Sequence, residues 1–84
     1  MGADWRTLRN ATMERRTQKA AMLSVSGRVD NRQMLFVVWM PLSQIEVCQD
    51  GTIRATAWIL EQKEIEIAEK RNARTVELFT LEDR

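Results

Sequence analysis

The sequence predicts an α+β fold: an antiparallel meander of three to four strands, followed by a C-terminal helix and preceded by a candidate short N-terminal helix. Three observations support this prediction. The seven consecutive apolar residues Met34–Met40 are typical of a buried strand. Asp50-Gly51 is the strongest turn signal in the chain and predicts a hairpin. Residues Ile59–Arg71 contain no glycine, proline or turn former, which favours a helix.

The amino-terminal residues 1–16 are expected to form a short helix or a flexible basic arm. Trp5, Leu8 and Ala11 stand at helical spacing, and Asp4 is a candidate cap. The apolar stripe is short and thin, and short helices are marginal without tertiary packing. An arm that becomes ordered on a partner is the alternative.

Residues 17–58 are expected to form the β-meander. Met22–Ser26 alternates between apolar and polar residues as a half-buried strand does, and Gly27–Arg32 contains the turn formers Asp and Asn. Ser43–Gln49 alternates again, and Thr52–Trp58 returns as its hairpin partner.

The apolar strand raises the question of what covers its second face. One small sheet with one helix covers a single face well, so a second subunit is the natural cover for the other. We therefore expect a homodimer or a higher oligomer. Pro41 cannot donate to a ladder and is expected to end this strand or to sit on a bulge. The candidate self-association residues are Met34, Phe36, Val38 and Met40.

The carboxy-terminal third is expected to hold a helix over residues 59–72 and a tail or late strand over residues 73–84. Acids precede bases along the helix, as the helix dipole favours. Trp58 and Ile65 are expected on its buried face. Residues 75–81 alternate, which fits either a strand or a tail that docks on another subunit.

Length and composition point to a single small domain. The longest apolar run has seven residues, whereas a membrane-spanning helix needs about 20. The amino terminus lacks the apolar core of a signal peptide. A single cysteine, Cys48, cannot form an internal disulfide, which is typical of a reducing cytoplasm. We expect a cytoplasmic protein with no membrane partner.

The residues needed for common catalytic sites are scarce. The chain has no histidine, and its three glycines are isolated, so no zinc site, Cys–His pair or phosphate-binding loop is expected. The carboxylates between Glu61 and Glu69 are typical of a solvated helix face. We expect a protein that is not an enzyme and that uses no cofactor or metal.

The net charge of +1 conceals an uneven distribution. Residues 1–32 contain seven Arg and Lys against three acids, whereas residues 59–84 contain five against seven. A basic front half could meet phosphate groups, an acidic partner or the acidic half of another copy, and an ordinary solvated surface explains it equally well. The candidate binding residues are Trp5, Arg15, Arg16, Lys19, Arg28 and Arg32, with Trp5 stacking and the basic residues contacting phosphates.

A short motif resembles a pattern in small uncharacterised phage and prophage proteins. It runs Val38-Trp39-Met40-Pro41-Leu42-Ser43-Gln44-Ile45, with Lys19-Ala20-Ala21-Met22-Leu23 before it and Ala57-Trp58-Ile59 after it. The resemblance covers residues 19–65; where those proteins usually have a basic residue after the proline, this chain has Leu42. The resemblance implies a mobile-element origin and a small non-enzymatic fold, and it assigns no functional residues.

Two functions are expected first, and a structural subunit of a phage particle or assembly complex is the third interpretation. The first is a phage-type binding protein of the host cytoplasm, an anti-CRISPR-like inhibitor that occludes a defence protein or, as an oligomer, sequesters a signalling nucleotide. The alternative is an accessory protein that binds single-stranded nucleic acid during phage recombination or replication. Strong acidity would be expected of a DNA mimic, so that mechanism is disfavoured by the charge.

Overall fold

A computed structural model describes residues 4–82, which form an α+β fold with a helix near the carboxyl end, as the sequence predicts. One antiparallel sheet has the strand order β1-β6-β5, and the other has the order β2-β3-β4 with β7 also paired to β3. The elements are β1 Trp5–Thr7, β2 Thr12–Arg16, β3 Ala20–Val29, β4 Arg32–Pro41, β5 Ile45–Val47, β6 Ile53–Thr56, α1 Ala57–Arg71 and β7 Val76–Leu78.

The expected amino-terminal helix is wrong: this segment forms β1 and β2 instead. β1 is antiparallel to β6, with Trp5 opposite Thr56, and β2 is antiparallel to β3. Asn10, in the left-handed region at φ 56°, lies between the two strands. Pairing with distant strands outweighs the local helical spacing, because a short helix is marginal by itself, whereas β1 and β2 pair with strands that belong to the folded sheets. Residues 1–3 of the expected arm lie outside the described residues.

The hairpin of β3 and β4 is the longest paired unit of the fold. Ten residues of each strand pair in register, from Val29 opposite Arg32 to Ala20 opposite Pro41. Asp30 takes a positive φ of 53° in a two-residue turn. The turn is confirmed, but it is shorter than the predicted Gly27–Arg32, because β3 continues to Val29 and β4 begins at Arg32. β4 ends at Pro41, as predicted.

The last described segment joins the two sheets. β7 pairs with β3, which confirms the late strand. The Leu81 N–H then donates to the Thr7 carbonyl at 2.8 Å, and the Thr7 N–H donates to the Glu82 carboxylate at 2.7 Å. This hydrogen bond lowers the pKa of Glu82. A single chain segment therefore forms hydrogen bonds with both β1 and β3 and holds the two sheets together.

Helix α1 begins at a capping residue that sequence analysis did not single out. The Thr56 hydroxyl accepts the Ile59 N–H at 3.1 Å and donates to the Gln44 side chain at 2.6 Å. The helix ends at Asn72, whose left-handed conformation at φ 54° is typical of a C-terminal cap.

The buried face of α1 differs from the expected one. Trp58 and Ile65 are 58% and 47% exposed, whereas Ile59, Leu60 and Ile67 are buried. The helix lies on the same side of the hairpin as the buried residues of β3 and β4, and both sheets contribute to one core. Its members are Leu8, Ala21, Leu23, Val25, Phe36, Val38, Met40, Ile45, Ile53, Ala55, Ile59, Leu60, Ile67 and Leu78.

Gly27 of β3 lies close against β7. A Cβ atom at this position would collide with the Glu77 carbonyl oxygen and come within 3.0 Å of the Phe36 ring. A larger residue would push β7 away from the sheet or force the ring to move.

We predict that Gly27→Ala destabilises the protein by about 1–3 kcal/mol, because the added methyl group overpacks this site. Urea unfolding followed by tryptophan fluorescence measures the change. Ser24→Ala, on the opposite face of the same strand, is the matched control and should change stability by less than about 0.5 kcal/mol. Equal stability of Gly27→Ala and wild type would contradict the packing described here.

Candidate interaction surface

The most exposed apolar feature of the hairpin is a row of three side chains on β4. Leu35, Val37 and Trp39 are 69%, 64% and 42% exposed, and we call these three residues the outer column. Successive side chains of a strand point to opposite faces, so the three lie together on the face away from the core. An apolar cluster of this kind on a paired strand is the strongest candidate for a contact surface among the described residues.

The expected self-association residues occupy the other face of β4. Phe36, Val38 and Met40 are buried in the core of this chain, and Met34 is half-buried against it. Their assignment as an interface is therefore wrong, because the core of the same subunit already covers them. The apolar strand does leave one face uncovered, but the uncovered face is that of the outer column.

On the outer face of the sheet, the outer column lies beside more polar residues of β3. In the register of the hairpin, Leu35 lies opposite Ser26, and Val37 lies opposite Ser24. Trp39 lies opposite Met22, which in turn pairs with Arg15 on β2. The outer face thus combines an apolar edge, a band of small polar residues and two arginines, Arg15 on β2 and Arg28 on β3.

The edge of β4 that faces away from β3 has no strand partner among residues 4–82. The Asp30 N–H donates to Thr75 and the Ser26 carbonyl accepts from Phe79, so the even-numbered residues of β3 direct their backbone groups toward β7. The odd-numbered residues of β3 consequently bond to the even-numbered residues of β4. It follows that the odd-numbered residues of β4, the outer column among them, point their N–H and C=O groups to the open edge.

A groove of about 650 Å³ lies between β4 and α1. The outer column, together with Phe36 and Val38, lines the strand side. Residues of the helix line the other side; these are Lys63, Glu66, Ile67, Lys70 and Arg71.

The helix wall of the groove is positively charged. Lys63 and Glu66 are paired at 3.4 Å, whereas no ion pair joins Lys70 or Arg71 to an acid among the described residues. The Arg71 guanidinium lies 5.5 Å from the centre of the Phe36 ring. Three cations against one carboxylate give this wall a formal charge of +2.

The candidate basic residues do not form one patch. Arg15 and Arg16 are exposed at the end of β2, and Lys19 is exposed in the turn that follows. Arg28 and Arg32 lie near the tip of the hairpin, about 20 Å away along β3. The five basic residues therefore form two separate groups at opposite ends of the hairpin.

Two of the remaining candidates have contacts of their own. Arg28 approaches Glu77 at 3.8 Å and lies 5.4 Å from the centre of the Phe79 ring. Trp5 lies on β1 in the other sheet, where Arg54 stands 6.0 Å from its ring centre. The structure therefore separates Trp5 from the basic residues with which it was expected to act, and Trp39 is the tryptophan on the face of Arg15.

Two other kinds of site have no support in residues 4–82. No group of His, Cys, Asp and Glu side chains there is placed to hold a metal ion. Within the same residues, no helix has the length and apolar character needed to cross a bilayer. The half-buried Cys48 is a free thiol.

Comparison with known proteins adds no assignment. No protein-family model, curated protein or solved structure matches this chain. Its function must therefore be argued from the geometry of the hairpin surface.

We predict that the same substitution, valine to threonine, changes the stability of the protein by very different amounts at two adjacent positions. Val38→Thr should cost about 1–3 kcal/mol, because it places a hydroxyl group in the core. Val37→Thr should change stability by less than about 0.5 kcal/mol, because this side chain is exposed. Urea unfolding of both variants measures the difference. Equal costs at the two positions would contradict the assignment of the two faces.

Proposed function

We propose that this protein is a non-enzymatic inhibitor that works by stoichiometric binding of a protein partner through the outer column. The observation that supports this proposal is the exposure of three large apolar side chains, at alternate positions of a ten-residue strand that pairs with β3 along its whole length. Burying such side chains against a partner contributes about 25 cal/mol for each Å² of apolar surface removed from water. Tryptophan is moreover enriched among the residues that contribute most to binding.

The rigidity of the surface favours binding by a preformed contact. The outer column lies on a strand whose inner face is part of the core, so its residues lose little backbone freedom when a partner docks. Binding of this kind needs no catalytic group. It would block whatever surface of the partner the hairpin covers.

The role we propose is that of a phage protein that inhibits a host defence system, such as a CRISPR effector, in the cytoplasm of the host. The motif around Trp39 and Pro41, which resembles small phage and prophage proteins, supports this role. The absence of histidine from the sequence and the modest size of the chain favour occlusion over chemistry. A charge of +1 favours an apolar contact over mimicry of nucleic acid.

We predict that the protein raises the plaque count of a phage targeted by its host's CRISPR system, and that Leu35→Lys/Val37→Lys abolishes the effect. The two lysines place charge in the centre of the proposed contact, where it must be desolvated on binding. Plaque counts on isogenic hosts with and without each type of CRISPR effector measure the effect.

The matched control is Trp58→Lys/Ile65→Lys, which also replaces two exposed apolar residues but on the helix. It should retain full inhibition. Unchanged plaque counts with wild-type protein on every effector-containing host would overturn the anti-defence role. Equal loss in both double variants would overturn the assignment to the outer column.

Self-association is the competing use of the outer column. A homodimer would cover the apolar side chains of both copies and would leave the basic residues exposed. Light scattering at tens of micromolar separates the two cases: twice the chain mass supports a homodimer, and the mass of a single chain supports an outer column that is open to another protein.

A second candidate function is binding of single-stranded nucleic acid, and one observation favours it. Arg15, Met22 and Trp39 lie in one row across the outer face, so an exposed tryptophan and a basic residue share a surface. Bases can stack on tryptophan while basic residues contact phosphates. Arg16 and Lys19 lie at the same end of the hairpin.

For this second candidate, we predict salt-sensitive binding of a labelled single-stranded oligonucleotide that Arg15→Glu/Arg16→Glu abolishes, because the basic end of β2 becomes acidic. Fluorescence anisotropy at low and near-physiological salt measures it. Arg74→Glu is the control, because it reverses the charge of one basic residue at another exposed position. No binding at low salt would exclude this function.

A further inference from the structure

We propose that the open edge of β4 binds an extended acidic segment of the partner protein as an added strand, seated in the groove beside α1. This inference rests on the proposed function, since it names the kind of segment that the partner presents. It also goes further, because it assigns backbone groups and the helix wall to the contact as well as the outer column.

The backbone of β4 supplies the first argument. The N–H and C=O groups of Leu35, Val37 and Trp39 point to an edge that no strand covers among the described residues. Proteins usually protect such edges with charged residues, prolines or bulges. From Gln33 to Met40 this strand has no charged residue and no proline, and its pairing with β3 is regular. Its edge is therefore suited to strand addition.

The position of α1 supplies the second argument. The helix packs mainly against β7 and β6, which leaves the groove between it and β4. The strand side of the groove extends from Leu35 to Trp39. Five residues of a strand span about 17 Å, so the groove fits a short extended segment.

The charge of the helix wall defines which side chains that segment presents. Lys63 is already paired with Glu66, but Lys70 and Arg71 have no acidic partner among the described residues. Alternate side chains of an added strand would point toward this wall. Acidic residues at those positions would form ion pairs that a neutral or basic segment cannot form.

The remaining side chains of the segment would lie on the outer face. There they would stand next to Leu35, Val37 and Trp39 and extend the apolar surface across one more strand. The recognised pattern is therefore an alternation of acidic and apolar residues. A single strand would satisfy the backbone edge, the helix wall and the outer column together.

A second copy of this chain is a poorer occupant of the groove. Antiparallel pairing of two β4 strands would bring two helices together on the same face of the joined sheet. Each helix wall has a formal charge of +2, so the two walls would repel each other. The acidic segment has the complementary charge instead.

We predict that a fluorescein-labelled peptide of about eight residues, alternating Glu and Val, binds the protein and that sodium chloride weakens this binding. Fluorescence anisotropy measures the affinity. A peptide of the same composition with its Glu and Val residues in two blocks, and one alternating Lys and Val, should each bind at least about tenfold more weakly.

Two variants test the two parts of the site. Val37→Pro removes one N–H that points to the open edge and leaves the hydrogen bonds to β3 in place, so the peptide should bind about tenfold or more weakly. Val37→Thr keeps this N–H and changes only the side chain, so it is the matched control and should weaken binding much less than Val37→Pro does. Lys70→Glu/Arg71→Glu should also weaken binding, because it reverses the charge of the wall. Thermal unfolding confirms that each variant is folded.

Each outcome of these measurements decides the proposal. Equal binding of the alternating and blocked peptides, or equal binding by Val37→Pro and Val37→Thr, would overturn strand addition. A protein that is a dimer at the concentrations used, with no peptide binding, would show that a second copy covers the edge. If strand addition fails while Leu35→Lys/Val37→Lys still abolishes inhibition in the plaque test, the proposed function stands and only the binding of an acidic segment as an added strand is wrong.

Discussion

The rest of the structure depends on the pairing of β3 along both of its edges. β4 occupies one edge over ten residues, and β2 and β7 share the other. Because β3 is central, its alternate residues Ala21, Leu23 and Val25 are fully covered and anchor the core. The same arrangement leaves β4 as the outermost strand of its sheet. The long apolar edge is thus a direct consequence of how the core is built.

This constraint links the fold to the proposed binding. The inner face of β4 holds Phe36, Val38 and Met40 in the core, which fixes the positions of the backbone and of the outer column. Helix α1 is held by the Thr56 cap and by the Glu64 carboxylate, which accepts the N–H of Leu78 on β7 at 2.8 Å. A rigid strand and a rigid helix therefore border the groove, and little ordering is needed before a partner binds.

The sequence predicts those parts of the fold that have strong local signals. The hairpin turn at Asp30, the end of β4 at Pro41 and the helix over most of residues 57–71 follow from turn residues, proline and helix-compatible composition. The strands at the amino terminus could not be predicted in this way. β1 exists because β6 and the segment around Leu81 pair with it, and these contacts are distant in the sequence.

The exposed face of β4 was missed although a signal for it was present. Seven consecutive apolar residues do not reveal which face is covered, and sequence analysis chose the wrong one. The neighbouring strand alternates clearly, however, with Ser24 and Ser26 between buried residues. A two-residue turn places Val37 opposite Ser24, so the register alone assigns the outer column to the polar face. The groove could not be anticipated, because it depends on where α1 packs.

The most direct test of this account is amide hydrogen exchange of the individual residues of β4, measured by NMR on the purified protein. The account predicts an alternation: the N–H groups of Phe36, Val38 and Met40 exchange slowly because they donate to β3, and those of Leu35, Val37 and Trp39 exchange fast because they face an open edge. Slow exchange at all six positions would contradict the account, since the edge of β4 would then be covered even when no partner is present.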